Sequence, residues 1–132
     1  MPFLNAKISA PRSSALTAQV ARTLLDLTTE ILGKRRDLTA IVIDYVDPDE
    51  WFIAGKSLRE LGLHSFYLNI KITDETNTKD QKARYLRATY AAFEELLGPL
   101  HAESYIVIDD VRATAWGYGG ITQEARFQQP ST

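Results

Sequence analysis

The residue with the clearest capacity for unusual chemistry is Pro2, which directly follows the first methionine. Proline cannot donate a backbone hydrogen bond, yet it stands at the head of "PFLNAKIS", an alternating stretch typical of a β-strand. A structural interpretation is available, because proline is tolerated at the first residue of a strand. A chemical role for Pro2 therefore needs support from the rest of the chain.

Other residues with chemical potential are few. The chain has no cysteine, which excludes disulfides and thiolate chemistry. Its two histidines, His64 in "ELGLHSF" and His101 in "GPLHAES", stand beside turn-forming glycine or proline and outside any HxH or HxxxH pairing. We therefore expect solvated loop histidines and no metal site. No GxGxxG, GxxxxGK[ST] or GxSxG string occurs, so no cofactor is predicted.

Composition indicates a globular chain of 132 residues, with 45% hydrophobic and 24% charged residues. We expect a single domain spanning residues 1–132. A net charge of −2 argues against a nucleic-acid partner. The sequence shows no signal peptide and no run near the roughly 18 apolar residues of a membrane span, so we expect no membrane association and a cytoplasmic location.

The first half predicts a strand, a helix and a strand. "PFLNAKIS" is the first strand, and "LTAIVIDYV" is the second. Pro11 breaks the first strand, Ser13 or Ser14 can cap the helix, and Gly33 ends it. Spacings of three and four define the apolar helix face: Leu16, Val20, Leu24, Leu27 and Ile31.

The second half repeats this order. The strand "SFYLNIKI" is followed by the polar turn "TDETNTKDQ", a helix that ends at Gly98-Pro99, and the strand "SYIVIDDV". The predicted apolar face of this helix is Leu86, Tyr90, Phe93 and Leu97.

Matching residues lie 65 positions apart in the two halves. The pairs are Trp51 with Trp116, Gly55 with Gly120, and Gly33 with Gly98. We interpret them as a tandem duplication of a β-α-β unit, covering about residues 2–62 and 65–125. The fold class is then α/β (α+β), with a four-stranded sheet and both helices on one face.

That arrangement leaves one face of the sheet uncovered. "AIVI" and "YIVI" are apolar at every position, as in strands buried on both faces. An exposed apolar face predicts association with further copies, so we expect a closed homo-oligomer. The polar tail "ARFQQPST" is expected to be loosely ordered, with Phe127 able to dock on a neighbour.

Taken together, the sequence resembles the tautomerase superfamily, whose small members are similar to 4-oxalocrotonate tautomerase. The resemblance covers residues 2–122 and rests on Pro2, on the "APR" turn that ends at Arg12, and on "WFIAG" with its echo "WGYGG". "APRSSA" and "LGK" also resemble macrophage migration inhibitory factor, a double-length relative. The family implies fused β-α-β units assembled as trimers, with the amine of an N-terminal proline as general base.

The resemblance gives Pro2 a second interpretation. Removal of Met1 would leave a secondary amine at the chain terminus. A terminal amine titrates near 8, and an apolar pocket lowers its pKa further. Such a base can move a proton on a carbon next to a carbonyl. The implied activity is keto–enol tautomerisation of a small carboxylate-bearing α-keto or enol compound.

Four further site residues follow from the resemblance, each beside a structural alternative. Arg12 would bind the substrate carboxylate, or be a solvated arginine. Trp51 would form the hydrophobic wall at Pro2, or anchor the core or an interface, whereas a packing role is expected for its duplicate Trp116. Lys34 would bind substrate, or interact with the helix dipole. Tyr105 would line the pocket, or pack at an interface.

The sequence also departs from the family. Ala40 replaces a second arginine of the small tautomerases, and Val107 replaces a polar asparagine of the migration inhibitory factor branch. "TDETNTKDQ" lacks the arginine pair of the family's dehalogenases and decarboxylase, which disfavours those related activities. A non-catalytic trimeric protein that binds small molecules is a further alternative. A third is an unrelated ferredoxin-like repeat with an all-antiparallel sheet.

Overall fold

The structure is a computed structural model that describes residues 1–128. Its strands are β1 (Phe3–Ile8), β2 (Ala40–Tyr45), β3 (Phe52–Ile53), β4 (Lys56–Ser57), β5 (Phe66–Thr73), β6 (Tyr105–Val111), β7 (Gly117–Tyr118) and β8 (Ile121–Thr122). Its helices are α1 (Ser14–Leu32), α2 (Leu58–Leu61), α3 (Lys79–Leu97) and α4 (Gln123–Gln128). Strands β3 and β4 form one small hairpin, and β7 and β8 form another.

The main sheet has the strand order β2-β1-β5-β6. Strands β1 and β2 are parallel, as are β5 and β6, whereas the central pair β1 and β5 is antiparallel. Two parallel pairs, each joined through a long helix, confirm the tandem β-α-β prediction. The ferredoxin-like alternative is wrong, because it required an antiparallel sheet throughout.

The 65-residue period extends to individual hydrogen bonds. Helices α1 and α3 both contain 19 residues and begin 65 positions apart. In the first hairpin the amide of Leu58 donates to the carbonyl of Trp51 at 2.9 Å. In the second, the amide of Gln123 donates to Trp116 at 2.8 Å. The two tryptophans therefore occupy equivalent positions at the start of equivalent hairpins.

Both long helices pack on the same face of the sheet, as predicted. The Thr28 and Tyr85 hydroxyls join α1 to α3 through a buried hydrogen bond of 2.8 Å. The predicted face of α3 is wrong at Leu86, which is 38% exposed, because the helix is rotated to bury Tyr85 and Thr89. The buried core consists mainly of residues from β1, β5 and the two helices: Leu4, Ala6, Ile8, Val20, Leu24, Phe66, Leu68, Ile70, Ile72, Tyr85 and Phe93.

Local capping explains where the helices begin and end. Ser13 caps α1, because its hydroxyl accepts from the Leu16 amide at 3.2 Å. Gly33 ends this helix in the left-handed region with φ 68°, which favours glycine. Helix α3 begins with a capping box, in which Thr78 and Gln81 each accept the other's backbone amide.

The open face of the sheet is only partly apolar, which corrects the expectation of a continuous apolar surface. Its outer strands do present apolar side chains, with Val42 43% and Val107 38% exposed. The central strands present the exposed Phe3 together with polar residues such as Asn5 and Lys71. The Lys71 ammonium pairs with Asp109 at 2.9 Å. The prediction was drawn from the outer strands, and the central ones differ.

The C-terminal expectation is also corrected in part. Residues 125–128 belong to helix α4 and are not an irregular tail. Phe127 is 91% exposed on this helix. Residues 129–132, for which loose order was expected, lie outside the described residues.

Within residues 1–128, no helix combines the length and the apolarity needed to cross a membrane.

Candidate active site

Pro2 is buried at one end of the sheet and lines a cavity of about 510 Å³. Its carbonyl accepts from the Ala40 amide at 3.3 Å, which ties it to the start of β2. Leu38 and Ala40 form one side of the cavity. The opposite side comes from the second half of the chain: Lys71, Trp116, Gly117 and Tyr118.

Strand directions bring these two halves together. The start of β1 lies beside Lys71 near the end of β5, because those strands are antiparallel. Strand β6 runs parallel to β5, so its final residue, Val111, reaches the same end of the sheet. The hairpin that follows β6 is therefore placed against Pro2 within the same chain.

A second cavity of about 560 Å³ adjoins the first. Met1, Leu38 and Tyr118 line both cavities, so Met1 lies at their junction. The second cavity is lined by two cationic side chains, Lys34 and Arg126, and by three exposed carboxylates: Asp74, Glu75 and Glu124. A carboxylate-bearing molecule that reached both cavities would meet these charges.

The electrostatics of this region disfavour additional positive charge. Burial lowers the pKa of the Met1 amine below its ordinary value of 8.0, and the charges of Lys34 and Arg35 lower it further. Burial also lowers the pKa of Lys34, against an opposing effect of Asp110. The Lys34 ammonium donates to the Thr76 hydroxyl at 2.9 Å, which directs it toward the second cavity.

Arg126 is the site residue that the sequence analysis missed. Its guanidinium carbon lies 3.8 Å from the centre of the Tyr118 ring, and its Nη2 donates to the Tyr118 carbonyl at 2.8 Å. The only sequence signal for Arg126 is its position 65 residues after Leu61. Leu61 lies in α2, the short helix that follows the first hairpin. The segment around Arg126 was instead interpreted as a tail.

Two buried N–H groups near the cavities lack an acceptor among residues 1–128. They are Nε1 of Trp116 and Nε of Arg126. All other unpaired buried side-chain atoms in that part of the chain are oxygens. Buried donors are normally satisfied, so these two enclosed groups depart from the usual pattern at the cavity walls.

The structure brings only some of the predicted site residues together. Lys34 lies in the cavity next to that of Pro2, and Trp116 lies in the Pro2 cavity itself. Strand β1 spans about 20 Å at roughly 3.3 Å per residue. Residues that follow its far end therefore cannot reach Pro2 of the same chain.

Three predicted residues belong to that far end. Arg12 follows the end of β1 and lies over the Tyr45 ring at 5.3 Å. Trp51 follows the end of β2, at the strand end where Tyr45 pairs with Ile8. Tyr105 begins β6 in register with Tyr67, is 58% exposed, and donates its hydroxyl to Glu103 Oε2 at 2.5 Å.

Within one chain, Trp116 lines the Pro2 cavity, whereas Trp51 lies at the other end of the sheet. The topology explains this placement, because the parallel pairs β1–β2 and β5–β6 put each hairpin at the opposite end of the sheet from its own unit's first strand residue. The antiparallel β1–β5 pair then brings each hairpin beside the first strand residue of the other unit. Asn77, the 65-residue counterpart of Arg12, donates to the Leu32 carbonyl at 2.8 Å and supplies no charge.

Comparison with known proteins places the chain among tautomerases. A probable tautomerase, K2, from Dickeya dadantii (strain 3937) is 32% identical over 65 residues, which is 49% of this chain and 97% of that protein. The matched length equals the repeat period. No protein-family model matches the chain.

Solved structures of the same architecture cover nearly the whole chain. A symmetric trimer of wild-type fused 4-OT has a TM-score of 0.80 at 20% identity, covering 94% of this chain and 98% of that one. A macrophage migration inhibitory factor-like protein from Entamoeba histolytica has a TM-score of 0.75 at 17% identity, covering 92% and 97%. At these identities the similarity shows a shared fold.

Proposed function

Because the chain belongs to the tautomerase superfamily, as a fused member of the 4-oxalocrotonate tautomerase type, we propose that it is a keto–enol tautomerase whose general base is Pro2. The base would be the free amine left by removal of Met1. The substrate would be a small α-keto or enol compound that carries a carboxylate. The observation that supports this most strongly is the burial of Pro2 at a cavity beside cationic side chains.

The environment suits a neutral amine. Burial and the charges of Lys34 and Arg35 lower the pKa of the Met1 amine, which lies one residue before Pro2. After removal of Met1, the amine would belong to Pro2, one residue closer to the start of β1. Both effects disfavour the protonated form, so the fraction of neutral base at neutral pH rises. A base with a pKa near the working pH is the most effective proton-transfer group.

The reaction needs only this group and a held substrate. The neutral amine takes a proton from the carbon next to the carbonyl, or from the enol hydroxyl. It then returns the proton at the other position, which leaves the amine unchanged. The indole N–H of Trp116 supports the same chemistry, because an unpaired buried donor can bind the oxygen on which negative charge develops.

The assembly that we propose is a homotrimer. Trimers are recorded for fused 4-OT structures of the same fold. The open face of the sheet carries exposed Phe3, Val42 and Tyr105, which a neighbouring copy would cover. Arg12 and Tyr105 lie too far from Pro2 of their own chain, so any role for them in binding substrate requires such a neighbour.

The test uses protein whose loss of Met1 has been verified by intact mass, assayed with phenylenolpyruvate and 2-hydroxymuconate. Replacing the base in Pro2→Ala should lower kcat/KM by about 10²- to 10⁴-fold. Pro11→Ala is the matched control, because Pro11 is an exposed turn residue, and its activity should equal that of the wild type. Absence of turnover, or equal turnover in Pro2→Ala, would contradict the proposal.

A non-catalytic binding protein is the second candidate, and Ala40 is the observation that favours it. This residue lines the Pro2 cavity and contributes only a methyl group. Retention of Met1 in the natural host would make the Pro2 nitrogen an amide, which cannot act as a base. The intact mass of protein isolated from that host therefore separates the two candidates.

A further inference from the structure

We propose that Arg126 is the carboxylate-binding residue of the Pro2 site, acting within the same chain. The inference rests on the proposed function, because it assigns a role in that same site. It differs from the sequence expectation, which gave this role to Arg12 at the far end of the sheet. Four observations carry it: the position of Arg126, its fixed guanidinium, its unpaired Nε and the exposure of the carboxylates that share its cavity.

Arg126 is half-buried and held in one orientation. Its guanidinium stacks on the Tyr118 ring at 3.8 Å, and its Nη2 donates to the Tyr118 carbonyl at 2.8 Å. Tyr118 lines both cavities, so the stacked guanidinium is fixed beside the wall between them. A guanidinium that is fixed before binding loses little conformational entropy when a ligand arrives.

The same guanidinium has unused hydrogen-bonding capacity. Its buried Nε has no acceptor among residues 1–128. A carboxylate can accept from two guanidinium N–H groups at once, in the fork geometry that favours arginine for this role. Reaching the enclosed Nε would require the Arg126 side chain to shift. After such a shift, a bound carboxylate would satisfy a donor that the folded chain leaves unpaired.

The cavities connect this cation to the base. Met1 lies at their junction, so its removal would join the two spaces beside the new Pro2 amine. Each space exceeds about 300 Å³, the lower range for small-molecule sites. A substrate could place its reacting carbon at Pro2 and its carboxylate at Arg126, where Lys34 adds a second positive charge.

Three carboxylates also line the second cavity, namely Asp74, Glu75 and Glu124. All three are exposed, and all three also border an outer depression that contains Arg112. Solvent screens exposed charges more than half-buried ones. The half-buried cations Lys34 and Arg126 are therefore screened less than the three exposed carboxylates of the same cavity.

The test compares Arg126→Gln and Arg126→Lys with the exposed α3 control Arg84→Gln. Each protein is assayed with phenylenolpyruvate and with its methyl ester, which lacks the negative charge. Arg126→Gln should raise KM for the acid by about 10- to 100-fold, as expected for loss of a charge-assisted pair, and leave KM for the ester within about twofold. Arg126→Lys should recover part of the acid affinity, and Arg84→Gln should match the wild type.

Equal losses for acid and ester would indicate a structural role for Arg126 and overturn the inference. So would an unchanged KM for the acid in a folded Arg126→Gln protein. A binding experiment that needs no turnover separates this result from failure of the proposed function. In NMR titrations, phenylacetate should bind wild-type protein more tightly than phenylacetamide, and Arg126→Gln should remove the difference even if no tautomerase activity exists.

Discussion

The two ends of the sheet share one backbone plan and differ in chemistry. Each end combines the start of one central strand with the hairpin of the other unit. At one end, Pro2 precedes β1 and lines a cavity together with Trp116 of the second hairpin. At the other end, the chain continues through Ser65 into β5, and Ser9 and Ser65 close the gap with buried hydrogen bonds of 2.8 and 3.1 Å.

The duplication therefore produced two equivalent positions, at Pro2 and at Tyr67. Of these, Pro2 would carry a terminal amine after removal of Met1. The counterpart of Pro2 in the second unit is Tyr67, whose nitrogen is an internal amide in β5. Cationic side chains follow the same asymmetry. Lys34 and Arg126 lie in the cavity that adjoins Pro2, whereas their counterparts at the other end are Pro99 and Leu61.

Among the variants that compare the two ends of the sheet, we expect the largest change in kcat/KM from replacing the two tryptophans. Trp116→Leu should lower kcat/KM about 10- to 100-fold, because water would reach the Pro2 amine, raise its pKa and weaken the apolar wall against the substrate. Trp51→Leu should leave kcat/KM within about threefold of the wild type. This corresponds to a change in activation free energy well under the roughly 1.4 kcal/mol of a tenfold change in rate. Steady-state kinetics with phenylenolpyruvate on verified Met1-free protein measures both.

Thermal unfolding of both variants is the control, since each tryptophan also packs in its hairpin. Similar losses of stability with different losses of activity would support a role for Trp116 at the Pro2 cavity. A larger activity loss in Trp51→Leu would contradict the prediction, and would mean that a neighbouring copy supplies the wall at Pro2.

A smaller effect is expected from the charge of Lys34. This charge lowers the pKa of the nearby terminal amine. Lys34→Met should therefore raise that pKa, and because the neutral amine is the active form, the acidic limb of kcat/KM should move to higher pH. Activity should fall more at about pH 6 than at about pH 9, where the amine is neutral in both proteins.

The pH profile of Lys56→Met provides the control, because Lys56 is exposed in the hairpin at the other end of the sheet. Its acidic limb should coincide with that of the wild type. An unshifted limb in Lys34→Met, or a shift to lower pH, would show that Lys34 does not act on the titrating group.

Sequence patterns predicted the fold well, because its determinants are local and repeated. The periodic apolar residues of α1, its Ser13 cap and its Gly33 terminator all lie where the structure has them. The 65-residue period predicted two equivalent units before any strand order was known. The α3 face was misassigned at Leu86, since burial of the Tyr85 hydroxyl depends on its partner Thr28, 57 positions away.

The site residues remain predictions, and the sequence offered candidates at these cavities only where adjacent residues carry the signal. Pro2 and Lys34 are such candidates, and they line the two adjoining cavities. Trp116 and Arg126 are not, because their place beside Pro2 follows from the antiparallel β1–β5 pair, and the sequence analysis never specified that pairing. Knowing that two units repeat does not say which hairpin meets which strand.

The smallest expected effect compares the caps of the two long helices. Ser13→Ala removes one hydrogen bond at 3.2 Å, whereas Thr78→Ala removes one arm of a reciprocal capping box. Each should lower the free energy of unfolding by about 1 kcal/mol, with the larger loss in Thr78→Ala. Urea denaturation at a fixed protein concentration measures both, with Ser14→Ala as the control one residue inside α1. Because neither cap lines the two cavities, kcat/KM should not change, and a loss of activity in Ser13→Ala alone would show that the two units are coupled to the site unequally.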